Sequence, residues 1–150
     1  MGRAAAAITV PGRVAEAEAL WYDPQRWASW VDGFGHVDRL EGDWPRPGAR
    51  LVWDSLPGGR GKVMERVSAH TDGAGQALDV EDERLRGTQR VAFAPDGDAV
   101  RVTLALDYEL KQRAPLTPVI DLLFIRRAIR DSLTRTLRRF ANERAAELNG

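Results

Sequence analysis

The side chains able to do chemistry in this chain are few and lie in separate segments. Tyr108 sits near the end of the run AVRVTLALDYEL, where Val100, Val102, Leu104, Leu106, Tyr108 and Leu110 fall on one side and Arg101, Thr103, Asp107 and Glu109 on the other. A phenol on the apolar side needs a hydrogen-bond partner once buried. It could orient a carbonyl of a bound molecule, exchange a proton with it, or bond a neighbour. Tyr108 is therefore the first catalytic candidate, with His36 and His70 as distant seconds. Neither histidine belongs to a metal-ligand spacing such as two histidines one helical turn apart. There is no G-x-S-x-G, no cysteine and no carboxylate pair at a telling spacing, so neither a metal site nor a cofactor is expected.

Two further groupings have plain structural readings. Gly58-Gly59-Arg60-Gly61 suggests a phosphate loop, but the next segment, Lys62 to Val67, is strand-like rather than the start of a helix, so a hairpin turn accounts for it better. Asp54 and Arg66 would face inward if their strands bury Val52 and Met64. The opposite register buries Leu51, Trp53, Val63 and Val67, sends both charges and Met64 outward, and is favoured because its inner face is more apolar.

The stretch WYDPQRWASW, Trp21 to Trp30, holds three of the five tryptophans. Asp23 can cap a short helix whose first residue is Pro24, where a missing N–H costs nothing. Arg26 at the third helical position excludes the reciprocal capping box. The segment reads as a corner with Trp21, Trp27 and Trp30 as apolar anchors. Trp27 is assigned to holding the fold and Trp30 to facing an interior space.

The elements that position these residues follow from punctuation and periodicity. Ala5 to Val10 reads as a strand stopped by Pro11-Gly12, and Arg13 to Trp21 as a helix with Val14, Ala17 and Leu20/Trp21 on one side. From Phe34 to Leu110, turn signals at Asp32-Gly33, Pro47-Gly48, Pro57-Gly58-Gly59, Asp72-Gly73 and Asp96-Gly97 divide strand-like runs into an antiparallel meander. After Pro115 and Pro118 the chain runs without Gly or Pro to Leu148, about 30 residues or ~45 Å of helix. Leu122, Ile125, Ile129, Leu133, Leu137, Phe140 and Leu148 form its stripe, and Arg126, Arg130, Arg135, Arg138, Arg139 and Arg144 lie mostly off it. Pro118 to Ile125 is apolar nearly all round, which predicts burial on several sides.

Composition narrows the class. The 150 residues suit one domain, and 22 basic residues balance 22 acidic ones, so no net field draws the chain to nucleic acid. The absence of cysteine suits a cytoplasmic location, and no run approaches the ~18 apolar residues of a membrane span. The opening MGRAAAAITVPG is too short in its apolar run to read as a signal peptide. The arginines of the last helix are interrupted by Asp131, Glu143 and Glu147 and read as a solvated face, leaving room for at most weak membrane-surface contact, for which Arg138 and Arg139 are the residues to test.

The segments ITVPGRVAEAEALWYDPQRWASW, with its D-P-x-x-W-x-x-W turn, DGDAVRVTLALDYEL and PLTPVIDLLFIRRAIRDSLTRTLRRFA resemble the START-like superfamily. The likeness is to the small bacterial SRPBCC proteins called polyketide cyclase/dehydrase and lipid-transport proteins, and it spans nearly the whole chain. It implies one α+β helix-grip domain over residues 1–150: a curved seven-stranded antiparallel sheet wrapped around a long C-terminal helix, with two short helices after the first strand. It also implies an apolar cavity between sheet and helix. In that arrangement Trp30, Phe34, Trp53, Phe93, Leu104, Leu106, Tyr108, Ile120 and Phe124 are expected to line the cavity. The expected partner is a small hydrophobic ligand, lipid, sterol or polyketide-like, bound and carried by a monomer or homodimer. The alternative is a polyketide cyclase or dehydratase acting on a ligand in the same cavity.

Overall fold

The computed structural model describes residues 2–111 and 119–150. Strand β1 (Gly2–Pro11) leads to helix α1 (Val14–Trp21), a 3-10 helix (Pro24–Ser29), and then β2 (Phe34–Glu41), β3 (Arg50–Ser55), β4 (Lys62–Thr71), β5 (Gly75–Glu81), β6 (Leu85–Asp96) and β7 (Ala99–Leu110). Helix α2 (Val119–Asn149) ends the chain. The strands form one antiparallel, curved sheet in the order β1-β7-β6-β5-β4-β3-β2, so the first strand closes one edge beside the last. This is the α+β helix-grip arrangement that the sequence implies. The helix breaks expected at Pro115 and Pro118 lie outside the described residues.

Each element forms where local chemistry favours it. The Asp23 carboxylate accepts the Gln25 N–H at 3.1 Å and caps the 3-10 helix, with Pro24 at its first position. The β3–β4 register pairs Leu51 with Glu65 and Trp53 with Val63, which buries Leu51, Trp53, Val63 and Val67 and leaves Met64 exposed, as the alternation predicts. A slip of one residue would expose all four, at roughly 1.5–3 kcal/mol each. One hairpin carries no glycine or proline signal. The β5–β6 turn is made by Asp82, whose carboxylate accepts the N–H groups of Arg84 at 2.8 Å and Leu85 at 3.0 Å and so builds the turn from a side chain.

Helix α2 lies along β1, whose inward residues Gly2, Ala4, Ala6, Ile8 and Val10 are small enough at their start for close approach. Its buried residues, Leu133, Thr136, Leu137, Phe140 and Arg144, all lie from its middle onward, and none belongs to its first turns. This corrects three expectations. The first turns are not buried on several sides: Val119, Ile120, Leu123 and Phe124 are exposed, Ile120 and Phe124 by 61% and 62%. Leu148, read as part of the inward stripe, is also exposed. Arg144, read as surface, is only 2% exposed. Its guanidinium donates to the Pro11 carbonyl at 3.2 Å and to Glu147 at 2.8 Å, and lies 3.7 Å from Glu16, joining the end of β1 to α1 and α2.

Gly12 makes that junction possible. Its φ is 101°, and a Cβ there would collide with Arg144 Nη2. Gly12→Ala is therefore expected to lower stability by about 1–3 kcal/mol, read as a lower urea midpoint at unchanged slope. An unchanged midpoint would contradict the account of this junction.

Candidate functional site

Two adjoining spaces lie between the inner face of the sheet, the tryptophan corner and α2. The outer one, of about 600 Å³, is roofed by Ile125, Ala128, Ile129, Ser132 and Leu133 of α2. Leu106, Leu110, Leu85 and Gln89 wall it from the sheet, and the Gly58–Arg60 loop and the Asp82–Arg84 turn form its rim. The inner chamber, of about 60 Å³, lies among Trp21, Trp27, Trp30, Trp53, Glu65, Gln76, Leu78, Gln89 and Leu104. Arg60, Gln89, Ser132 and Leu133 line both, so the two spaces share a wall of mixed polarity.

The outer space exists because α2 is anchored beyond it. Phe140 packs edge-on against Trp21 and Trp30 with ring centroids 5.1 and 5.0 Å apart. Asp32, just after the corner, accepts from Ser132 Oγ at 2.7 Å and from Arg135 at 3.0 Å, while its own N–H donates to Thr136 Oγ1 at 2.9 Å. Burial alone would raise the Asp32 carboxyl, but Arg135, Ser132 and Arg139 outweigh it and hold its pKa below the ordinary value. A stapled corner and a helix fixed at one end leave Ile125 and Ile129 only half-buried over the sheet.

The inner chamber contains a group that the residue inventory passed over. Glu65 is 7% exposed and inward-facing between Val63 and Val67. Its Oε1 accepts the Trp53 indole N–H at 3.0 Å, and its Oε2 is buried without a partner among the described residues. Burial pushes the Glu65 carboxyl up, and the Trp53 hydrogen bond and the Arg60 charge offset this only in part. Arg60 itself is occupied: its Nε donates to Asp82 Oδ2 at 2.8 Å and its guanidinium lies 5.6 Å from the Trp53 ring centre. At Asp82, burial acts upward, but Arg60 and the N–H groups of Arg84 and Leu85 prevail and lower the carboxyl. The glycine stretch is thus a strand connection, and its arginine ties two hairpins together at the rim.

The expected lining residues separate into groups. Trp30, Trp53 and Leu104 wall the inner chamber and Leu106 walls the outer space. Phe34 stacks behind Trp53 at 5.2 Å, and Phe93 packs against Trp21 and Tyr22, both at 6.1 Å; neither lines the two spaces. Tyr108 is buried and faces inward, but it lies over Gly2, where a Cβ would collide with its ring. It lines a third space of about 340 Å³ with Leu110, Leu122, Ile125 and Arg126, which shares Leu110 and Ile125 with the outer space. Ile120 and Phe124 point outward and line neither space, because they stand on the side of α2 away from Ile125 and Ile129. His36 is exposed beside Asp54 at 3.1 Å, and the buried His70 side chain packs edge-on against Tyr22 at 5.2 Å; both are outside the cavity walls. Glu65, Gln89, Arg60, Asp82 and Ser132 are the polar wall that sequence reasoning missed. The available signal was Glu65 itself, a carboxylate at an inward position of an otherwise apolar alternation.

Among the described residues no group of three His, Asp or Glu side chains is placed to hold a metal ion, and no helix is long and apolar enough to cross a membrane. The family described as polyketide cyclase/dehydrase and lipid transport matches residues 1–144. No curated protein matches the chain by sequence. Similar solved structures include TTHA0849 from Thermus thermophilus, 19% identical over 97% of this chain and 99% of that one, with a TM-score of 0.74. A START superfamily protein from Mycobacterium smegmatis is 12% identical over 96% and 97%, with a TM-score of 0.74. A Thermobifida fusca protein is 17% identical over 97% and 95%, with a TM-score of 0.73. At these identities the likeness is one of fold.

The Glu65 environment has a pH signature. A carboxyl whose folded pKa lies above its unfolded value binds more protons folded than unfolded, so its contribution to stability falls as pH rises from the ordinary value of 4.5 to the raised one. Glu65→Gln cannot ionise and escapes that loss. Its stability relative to wild type is expected to improve as pH rises through the range above 4.5, measured by urea unfolding. A difference that stays flat across this range would refute the assignment.

Proposed function

Because the chain belongs to the polyketide cyclase/dehydrase and lipid-transport family, we propose that it binds a small hydrophobic or lipid-like ligand between the sheet and α2. The observation that carries this reading is the space of about 600 Å³ walled by Leu85, Leu106, Leu110, Ile125, Ile129 and Leu133. Apolar area left open beneath a helix is unfavourable in water. A ligand that fills it gains ~25 cal/mol for each Å² removed from solvent, less the cost of association. On this reading the chain acts as one cytoplasmic domain that holds, and transfers, its ligand without altering it.

A second reading, cyclase or dehydratase chemistry on the same ligand, draws on the Glu65 carboxyl, whose second oxygen has no partner among the described residues at the inner chamber. A general acid or base must reach the reacting carbonyl, and Glu65 is better placed for a ligand in these two spaces than Tyr108, which lines another. Ring closure of a linear poly-β-keto thioester mimic, lost in Glu65→Gln, would establish it.

The binding reading is tested by native mass spectrometry of the purified protein, together with tryptophan fluorescence and melting temperature in the presence of cholesterol, palmitate and an aromatic polyketide. At least one of these should bind, and Ile129→Trp, which fills the roof of the outer space, should weaken that binding about tenfold or more while the protein stays folded. If nothing co-purifies and none of the probes shifts either signal, the reading fails.

A further inference from the structure

Three of the five tryptophans donate their N–H groups to the protein, and Trp30 has the one indole N–H that is both buried and unpaired among the described residues. Trp27 donates to the Trp21 carbonyl at 2.9 Å, Trp44 to the Tyr22 carbonyl at 2.9 Å, and Trp53 to Glu65 at 3.0 Å. Trp30, 1% exposed, has no partner for Nε1–H among the described residues, and neither has Glu65 for Oε2. Both side chains wall the same small chamber. Buried polar groups are rarely left unpaired, because each forfeits the hydrogen bonds it had in water. Two such groups at one chamber call for an occupant that bonds to both.

The chemistry of that occupant follows from counting. Trp30 Nε1 can only donate. Glu65 already accepts from Trp53 on one oxygen, and burial favours its neutral form, in which the second oxygen is a hydroxyl donor. Two donors suit the two lone pairs of one uncharged carbonyl oxygen. A hydrocarbon satisfies neither donor. A carboxylate would bring an unneutralised charge into the chamber, since Arg60 is held by Asp82 at 2.8 Å. The chamber, of about 60 Å³, has room for a group of a few atoms, and the adjoining space of about 600 Å³ has room for an apolar body.

Resting on the binding reading above, we propose that the inner chamber is a head-group site: the ligand enters with an uncharged carbonyl leading, received by Trp30 Nε1–H and the Glu65 carboxyl, and its apolar body lies under Ile125 and Ile129. Trp30 and Glu65 then select for a ketone, aldehyde or ester end, and the outer space selects only for apolar bulk.

The test compares 2-undecanone with undecane and undecanoate, all of one chain length, by tryptophan fluorescence titration, and records the infrared carbonyl stretch of bound, carbonyl-¹³C-labelled 2-undecanone. Wild type should bind the ketone about tenfold or more tighter than the alkane and tighter than the carboxylate, with the stretch below its position in hexane. The ketone preference should fall to within about twofold in Glu65→Leu and in Trp30→Phe and survive in Glu65→Gln, whose amide still donates. Should the leucine and phenylalanine variants fail to fold, the wild-type infrared shift decides. Equal binding of ketone and alkane, tighter binding of undecanoate, a preference surviving in both deletion variants, or an unshifted stretch would each overturn the proposal while leaving hydrophobic binding intact. If none of the three compounds binds while cholesterol, palmitate or the aromatic polyketide does, the proposal falls and the binding reading stands; if none of the six binds and nothing co-purifies, both fall.

Discussion

One long helix covers the inner face of a curved sheet, and among the described residues its fully buried side chains all lie from Leu133 onward. Leu137 and Phe140 are fully buried, Phe140 against Trp21 and Trp30, and Arg144 reaches the end of β1 from inside the protein. Asp32 adds a polar staple to Ser132 and Arg135. Nearer its N-terminus, among the described residues, the same helix turns half-buried Leu122, Ile125 and Ile129 toward the sheet and buries none of them fully. The outer space results from this difference. Where facing side chains interdigitate they close-pack like an organic solid, and where one surface is held off they leave a void.

The tryptophan corner sets how close the anchored part can come. Trp21, Trp27 and Trp30 contact one another at 4.7 to 6.3 Å, and Phe34 continues the stack to Trp53 on the sheet. Large rigid rings fill volume at little entropic cost, but they cannot conform to every gap. The space they leave lies beside the one buried carboxylate on β4. A purely structural core would gain from leucine or valine at position 65, since burying a carboxyl against apolar neighbours opposes folding unless both oxygens are bonded. The glutamate and the unpaired indole N–H of Trp30 make this chamber a poor core and a serviceable polar recess.

Much of this is legible in the residues, and the losses have physical causes. The alternation of Leu51, Trp53, Val63 and Val67 sets the β3–β4 register, and by the same rule it places Glu65 inward. The glutamate between the two valines escapes notice because a charged residue in a strand is normally solvated. The apolar start of α2 points to the wrong faces: Ile120 and Phe124 carry as much hydrophobicity as Ile125 and Ile129, and composition alone does not say which side the sheet occupies. Arg144 reads as surface for the complementary reason. Its burial depends on Pro11, Gly12 and Glu16, more than a hundred residues away.

What the sequence determined by itself is whatever follows from short-range backbone geometry: seven strands and their inward faces, the Asp23–Pro24 corner, and a long helix with one apolar stripe. Period-two alternation, helical spacing and capping operate within a few residues, so they can be read without knowing what lies opposite. The tertiary structure alone decided which part of α2 is anchored, that Glu65 and not Tyr108 borders the inner chamber, and that Arg60 is neutralised by Asp82. Those outcomes depend on distances between segments far apart in the chain. Such distances are set by how whole surfaces pack, which no local pattern encodes.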